Sequence, residues 1–361
     1  MAAGELIREL REIVGPSYVL IEEADVVAYE QDGSIFQVMP EVVVVPGDVE
    51  EIAAVVKCAK RFNSPIVPRG SGTGLAGGAV PAEGGITLSL ARLDRILKID
   101  LQNRIAVVEP GVINADITKA VAKDNFFYAP DPSSQAACSI GGNVANNSGG
   151  PHTLAYGVTT NHVLGVEVVL DDGRIAWLGG EVPDTPGYDL CGVFVGSEGT
   201  MGIVTKVVVK LTPTRESVRT LLAIFDQMDD ATETVVDITS AGIIPAALEI
   251  MDRTTIEAVE RGAPVGLPQN AEAVLIVEIE GLKEHTERAL DIARSICEQN
   301  HAREVKLAAD ETERQLIWKG RKGAFGAMRQ PRITRSAASL IATSVVVSNK
   351  LLLSVGFPKI F

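Results

Sequence analysis

Three observations along the 361 residues predict an α+β fold. Glycine-rich segments recur beside short apolar strands. Some of those strands lead into helices while others flank tight turns, and no regular alternation of strand and helix runs the length of the chain. A chain of this length exceeds the usual size of one core, so two domains are expected.

Residues 1–14 carry charge throughout and read as an amphipathic surface helix rather than a signal peptide. A strand over 42–45 and a turn at 46–48 lead into a helix over 49–62, with Asp48 as N-cap and Glu51 three residues on in the style of a capping box. A strand over 65–68 then enters a loop containing Arg69, Gly70, Ser71, Gly72, Thr73, Gly74, Gly77 and Gly78, and a strand over 86–90 follows. Glycines at this density allow positive φ and turn successive N–H groups toward one concavity, which suits a phosphate. Gly72, Gly74 and Gly77 also fit G-x-G-x-x-G, but that string signals a dinucleotide-binding βαβ unit only when a helix opens from it. Pro81, Gly84 and Gly85 occupy what would be its first turns. No Lys-Ser or Lys-Thr follows Gly77 or Gly78, which removes the nucleoside-triphosphate P-loop as well.

Strands over 97–100 and 104–108 pair across 101–103, and Asn114 is placed to cap a helix over 115–123. A second glycine and amide cluster spans 130–150, where Ser139, Asn143, Asn146 and the glycine amides offer donors and acceptors that match the edge of a heteroaromatic ring. Strands over 163–170 and 174–178 flank Asp171, Asp172 and Gly173, a hairpin signal. A third cluster over 195–203 runs into an apolar strand over 203–209. The loops at 68–78 and 130–150 together suggest a ligand long enough to need both.

After 211–214 the pattern changes to a strand over 218–225, a helix over 229–240, a strand over 273–280 and a helix over 283–300, with a proline-bearing loop at 262–269. Residues 310–313 open a last helix that carries Trp318, Lys319, Gly320, Arg321 and Lys322. Formal charge is 33 − 47 = −14, which argues against a polyanion such as nucleic acid as ligand. Cys58, Cys138, Cys191 and Cys297 make no C-x-x-C pair, as expected of reduced thiols in a cytosolic compartment without zinc or iron-sulfur ligation, and Cys138 is expected to pack. His152, His162, His285 and His301 are too far apart to read as a metal site. His152, beside Gly149 and Gly150, is read chiefly as a surface or packing residue.

The loop at 69–78, the cluster at 130–150, Tyr156-Gly-Val-Thr, 163–167 and 198–203 occur in an order that resembles the FAD-binding domain of the vanillyl-alcohol oxidase (PCMH-type) superfamily. The resemblance is strongest to the glycolate oxidase and D-lactate dehydrogenase branch of FAD-linked oxidases, and it covers most of 33–328. It implies a two-subdomain FAD-binding domain at 34–214 after a helical segment at 1–33, and a partial, ferredoxin-like substrate cap at 215–328. It further implies that Gly70–Gly78 cradle the pyrophosphate, with Arg69 at the entrance. Pro130, Asp131, Pro132, Ser133, Ser139, Gly141, Gly142, Asn143, Asn146, Gly149 and Gly150 would follow the ribityl chain and ring system. Glu198, Gly199, Gly202 and Ile203 would lie near the adenosine and the dimethylbenzene side. The glycine loop has no histidine, so non-covalent FAD is expected.

In such a family a helical Trp-x-x-Arg presents arginine to the substrate carboxylate, and Arg321 holds that position; a forked guanidinium matches a carboxylate bidentately. The implied activity is FAD-dependent oxidation of a small 2-hydroxy acid, glycolate or D-lactate, with electrons passing to a non-nicotinamide acceptor. Implied partners are a second flavin subunit and an iron-sulfur subunit, and the implied location is cytoplasmic or peripheral at the inner membrane through those partners. Met328 is the last residue that reads like the family. Residues 329–361 hold five basic residues and no acidic ones, so 1–328 alone carries 28 − 47 = −19. The apolar run at 337–347 falls short of the roughly 20 residues of a spanning helix. The tail reads as a frameshift product standing where the resemblance implies a metal- and base-bearing region, which leaves an FAD-binding remnant without turnover as the alternative.

Overall fold

The computed structural model describes residues 2–262 and 264–328; the expectation for 329–361 lies outside the described residues. The chain divides into two compact units, Met1–Gly149 with Val158–Thr214, and Gly150–Gly157 with the chain from Arg215 onward. Both mix helix and sheet, as the α+β expectation requires.

The first unit contains two main sheets. One orders its strands Val19–Leu20, Val42–Val44, Ile86–Ser89 and Ile66–Arg69, the last three mutually parallel and the first antiparallel. Helix Val49–Phe62 buries Ile52, Val55, Val56 and Ala59 in the core of this sheet. Its N-terminus forms as expected: Glu51 N donates to Asp48 Oδ1 at 2.8 Å, while the Glu51 carboxylate accepts from Gly47 N at 2.6 Å. Helix Ala2–Val14 does more than lie on the surface, because Leu10 and Val14 are buried in the same core.

The second sheet is wholly antiparallel, in the order Ile96–Asp100, Ile105–Val108, Ile203–Lys210, Val163–Val169 and Ile175–Gly179. The hairpin read at Asp171-Asp172-Gly173 closes through Leu170 N to Arg174 O at 2.9 Å, with Gly173 at φ +76°. Helix Asn114–Val121 packs Ile117 and Val121 into this core. Asn114 is not its cap, contrary to expectation. The side chain is buried and donates to Pro130 O at 3.0 Å, so the helix starts one residue early on Ile113.

Residues 140–146 form an element for which no helix is expected from the sequence. The glycine pair in this cluster argues for a loop, yet Ile140–Asn146 is helical, with Ser139 Oγ accepting from Gly142 N and Asn147 closing it in the left-handed conformation at φ 48°. Close packing overrides propensity here. A Cβ on Gly141 would stand 2.6 Å from Pro110 Cβ and 3.0 Å from Pro110 O, so only glycine admits the helix at this depth.

In the second unit one antiparallel sheet orders Ala247–Asp252, Ala273–Gly281, Ser217–Phe225 and Glu304–Leu307. In chain order this is strand, helix, strand, helix, strand, helix, strand, helix, and the sheet order is that of the expected ferredoxin-like plan. One face packs Leu221, Ala223, Phe225, Leu275 and Val277 against helices Met228–Ser240 and Lys283–Gln299. The other packs Leu222, Ile224, Val274 and Ile276 against helices Arg253–Gly262 and Glu311–Met328. Strand Ala247–Asp252 and helix Arg253–Gly262 have no counterpart in the sequence reading, nor does the exposed edge strand Glu304–Leu307. Glu249 is the reason for the first omission, since a buried acid occupies an inward position where alternation would show an apolar residue.

Candidate functional site

In the first unit the three glycine segments converge. A Cβ on Gly70 would fall 2.2 Å from Ser139 Oγ and 3.6 Å from Gly142 N, so the start of the loop lies directly on the N-terminus of helix Ile140–Asn146. The third segment joins them through Gly196 N to Val144 O at 2.8 Å and Glu198 N to Ala145 O at 2.9 Å. Gly199, at φ +76°, backs onto Pro68, whose Cγ would meet a Cβ at 2.6 Å.

Elsewhere the same loop faces open space. A Cβ on Gly74 would meet nothing within 4 Å, and one on Gly78 only Glu198 Oε2 at 3.9 Å. Glu198 is a non-glycine residue held at φ 53°. The Nδ2 of Asn143 is buried without a hydrogen-bond partner. A concavity walled by backbone, beside a helix that holds an unpaired buried amide donor, fits a long ligand with phosphates and a polar ring. The predicted residues therefore suit FAD.

Several predicted residues have more specific surroundings. Arg69 is buried, and its guanidinium donates to Gln31 O at 2.8 Å and to Tyr29 O and Ala79 O at 3.4 Å, so it braces the loop from behind. Burial also pulls its pKa down. Ser71, Gly72, Thr73 and Gly77 lie in the loop itself, with Gly72 and Gly77 at φ +66° and +81°. Pro130 and Asp131 are buried beside Asn114, Pro132 and Ser133 turn toward Gln135, and Asn146 Nδ2 returns to Gly142 O at 2.9 Å. Gly149 ends its stretch of the first unit, whereas Gly150 belongs to the second and donates to Thr153 Oγ1 at 2.8 Å. Gly202 backs onto Val169 O, and Ile203 is a buried strand residue paired with Val169. Burial raises the Cys138 thiol, which fits the packing role expected of it.

The second unit presents a polar continuation of its sheet face. Strand Ala273–Gly281 alternates Val274 and Ile276 with Glu278 and Glu280, so two acids follow two aliphatics on one side. Glu278 is almost wholly buried and sits opposite Thr220 in register. Its Oε2 accepts from Thr220 Oγ1 at 2.5 Å, Trp318 Nε1 at 2.6 Å and Arg314 Nη1 at 3.1 Å, while Oε1 lies 2.9 Å from His152 Nε2. Burial alone would raise this carboxyl, but the hydrogen bond and charge of His152, with Thr220 and Trp318, bring it down to about 2. His152 also lies against the Trp318 ring at 5.3 Å between centroids. Glu280 bonds Tyr156 Oη, and burial raises its carboxyl.

On helix Glu311–Met328, Arg314, Trp318 and Arg321 recur at i, i+4 and i+7 and so share one face. Arg321 turns inward from its exposed neighbour Lys319: its side chain is 16% exposed, and both Nε and Nη2 reach Glu249 Oε2 at 2.7 Å. The sequence reading singled out Arg321 and missed Glu249, Glu278, Glu280 and Arg314, and it treated His152 as incidental. Acids at alternate positions of an apolar strand were the available signal. Their partners lie up to 126 residues away, which no local pattern reveals.

Residues 40–179 match the FAD binding domain family and residues 214–351 match the C-terminal domain of FAD linked oxidases, a segment that extends past Met328. The chain is 44% identical to glycolate oxidase subunit GlcD of Escherichia coli over 324 residues, which cover 90% of this chain and 65% of that protein. With GlcD of Bacillus subtilis it shares 42% over 336 residues, 92% of this chain and 72% of the relative. A D-lactate dehydrogenase of Archaeoglobus fulgidus is 37% identical over 257 residues, 71% and 57% of the two chains. Among solved structures, p-cresol methylhydroxylase with substrate bound aligns with a TM-score of 0.76 at 21% identity over 91% of this chain and 72% of that one, a likeness of fold. The chain thus spans slightly less than two thirds of the E. coli relative's length. The glycine-walled concavity and these matches agree, and the chain belongs to the FAD-linked oxidoreductase family that includes glycolate oxidase subunit GlcD and D-lactate dehydrogenase, with FAD as its cofactor.

Proposed function

We propose that this chain takes part in the oxidation of a small 2-hydroxy acid, glycolate or D-lactate, with electrons leaving to a non-nicotinamide acceptor. The observation that carries this reading is the convergence of three glycine-bearing segments on one backbone-walled concavity. Bound FAD would supply the two-electron redox chemistry. Gly70, Ser71, Gly72, Thr73, Gly74, Gly77 and Gly78 would hold its phosphates through backbone N–H groups, with Arg69 bracing the loop. Ser139, Gly141, Gly142, Asn143 and Asn146 would line the ring side, and Glu198 and Gly199 the third wall. With no histidine in the glycine loop, attachment is non-covalent.

Arg321 is the group proposed to bind the substrate carboxylate. Its guanidinium is half-buried on a helix fixed to the sheet by Trp318 and Arg314 at Glu278, so it is pre-oriented and partly shielded from water. Association with a second flavin subunit and an iron-sulfur subunit belongs to the same proposal, as does a cytoplasmic location, peripheral to a membrane through those partners. No helix of the described residues is long and apolar enough to cross a membrane.

The test is to purify the chain, record the flavin spectrum, then add glycolate and D-lactate without oxygen. Bleaching by either acid is the expected result. A flavin that stays oxidised with both supports cofactor binding without turnover, and colourless protein that rejects added FAD overturns both readings.

A further inference from the structure

Arg321 already carries a carboxylate. Glu249, buried on strand Ala247–Asp252, meets both Nε and Nη2 of the guanidinium with one oxygen at 2.7 Å. This is the side-on edge of the fork, and its occupation has two physical effects. It fixes the plane of the guanidinium, and it neutralises the cation before any ligand arrives. A half-buried arginine without a counter-ion would attract any small anion that could reach it, because desolvation strengthens the interaction for chloride or phosphate as much as for a substrate.

We propose that Glu249 is a specificity-determining residue that filters ligands at Arg321, a deduction that rests on the reading of Arg321 as the carboxylate-binding group. An anion approaching the pair meets a guanidinium that is already neutralised and already engaged along its Nε/Nη2 edge. Charge alone therefore gains it little. A 2-hydroxy acid is admitted because its other groups add contacts that a bare anion cannot make, and simple inorganic anions are refused. The chemistry around the pair supports a filter of this kind. Arg314 on the same helix face is likewise matched, by Glu278 and by Glu311 at 2.8 Å, so the face offers no unneutralised guanidinium at that neighbouring position either.

The FAD-reconstituted chain is titrated calorimetrically with oxalate, chloride and phosphate, as wild type and as Glu249→Gln, Glu249→Asp and Arg321→Met. Glu249→Gln is expected to bind chloride and phosphate at least about tenfold more tightly than wild type, while Glu249→Asp, which keeps the charge, stays within about threefold. Inorganic-anion affinities in Glu249→Gln within about twofold of wild type overturn the filter, as does an Asp variant as promiscuous as the Gln variant. Should Glu249→Gln fail to fold, wild type decides: chloride at about 0.2 M is expected to leave oxalate affinity nearly unchanged, and a weakening beyond about threefold overturns the proposal. Arg321→Met separates the two layers. If it loses oxalate while Glu249→Gln keeps the wild-type anion profile, only the filter fails; if it binds oxalate as wild type does, the carboxylate-binding reading of Arg321 fails.

Discussion

The two units build their sites from opposite materials. The concavity of the first is made of backbone, with side chains held out of the way by glycines at positions 70, 72, 74, 77, 78, 141 and 142. The polar face of the second is made almost wholly of side chains: one buried acid with four donors, another with an arginine, and a third with a tyrosine. A backbone site admits no added atom where segments touch, as at Gly70 and Gly141, and carries little charge to titrate. A side-chain site is the reverse, sensitive to the loss of one partner and to pH.

The sharpest way to break that contrast is Glu278→Ala. It leaves Arg314, His152, Thr220 and Trp318 without their common acceptor, and breaking a buried ion pair from one side costs about 3–5 kcal/mol. Denaturant titration followed by Trp318 fluorescence measures it, in a Trp177→Phe background because Trp177 is exposed. A cost under about 1 kcal/mol would mean that the network is decorative.

Acid is the next probe. The Glu278 carboxyl is depressed from its ordinary 4.5 to about 2. Its stabilisation is therefore complete above pH 4.5 and disappears as pH falls toward 2, a loss on the order of 3 kcal/mol. The same Trp318 signal in the Trp177→Phe background should shift across that window, and the shift should vanish in Glu278→Gln. A shift that persists in the Gln variant assigns the titration to another group.

For the first unit, Gly141→Ala drives a Cβ to within 2.6 Å of Pro110 Cβ and 3.0 Å of its carbonyl, an overpacking cost of about 1–3 kcal/mol. Thermal unfolding and flavin content should fall together. Gly74→Ala is the smallest in stability and the most telling in kind, because no protein atom lies within 4 Å of the new methyl. Stability should stay within about 0.5 kcal/mol while the FAD dissociation constant rises about tenfold. Unchanged FAD affinity would move the ligand away from that side of the loop.

The same contrast decides what the sequence could reveal. Backbone features announce themselves locally: the Asp48 cap, the Asp171-Asp172-Gly173 turn and the three glycine clusters all appear where they were read. Even so, the clusters did not disclose helix Ile140–Asn146, since glycine propensity opposes it and only the close approach to Pro110 makes glycine necessary there. Asn114 looked like a cap because capping is the local use of asparagine, whereas its actual partner, Pro130 O, lies 16 residues on. Side-chain sites hide more thoroughly. Arg321 drew attention only through the resemblance of its Trp-x-x-Arg setting to a known family, and Glu249 and Glu278 interrupt apolar strands and read as noise until the sheet brings their donors together.

Residues 150–157 carry a lesson for anyone who would move parts of this chain between proteins. They sit inside the sequence of the first unit but belong to the second, where His152 serves Glu278 and Tyr156 serves Glu280. A cut at 214/215 is the obvious place to separate two modules by sequence. A gene fragment that begins there would encode Glu278 and Glu280 without the histidine and the tyrosine that complete them. Moving the second unit as a whole thus calls for a graft in two pieces, the segment from Arg215 together with the eight-residue insert from far upstream.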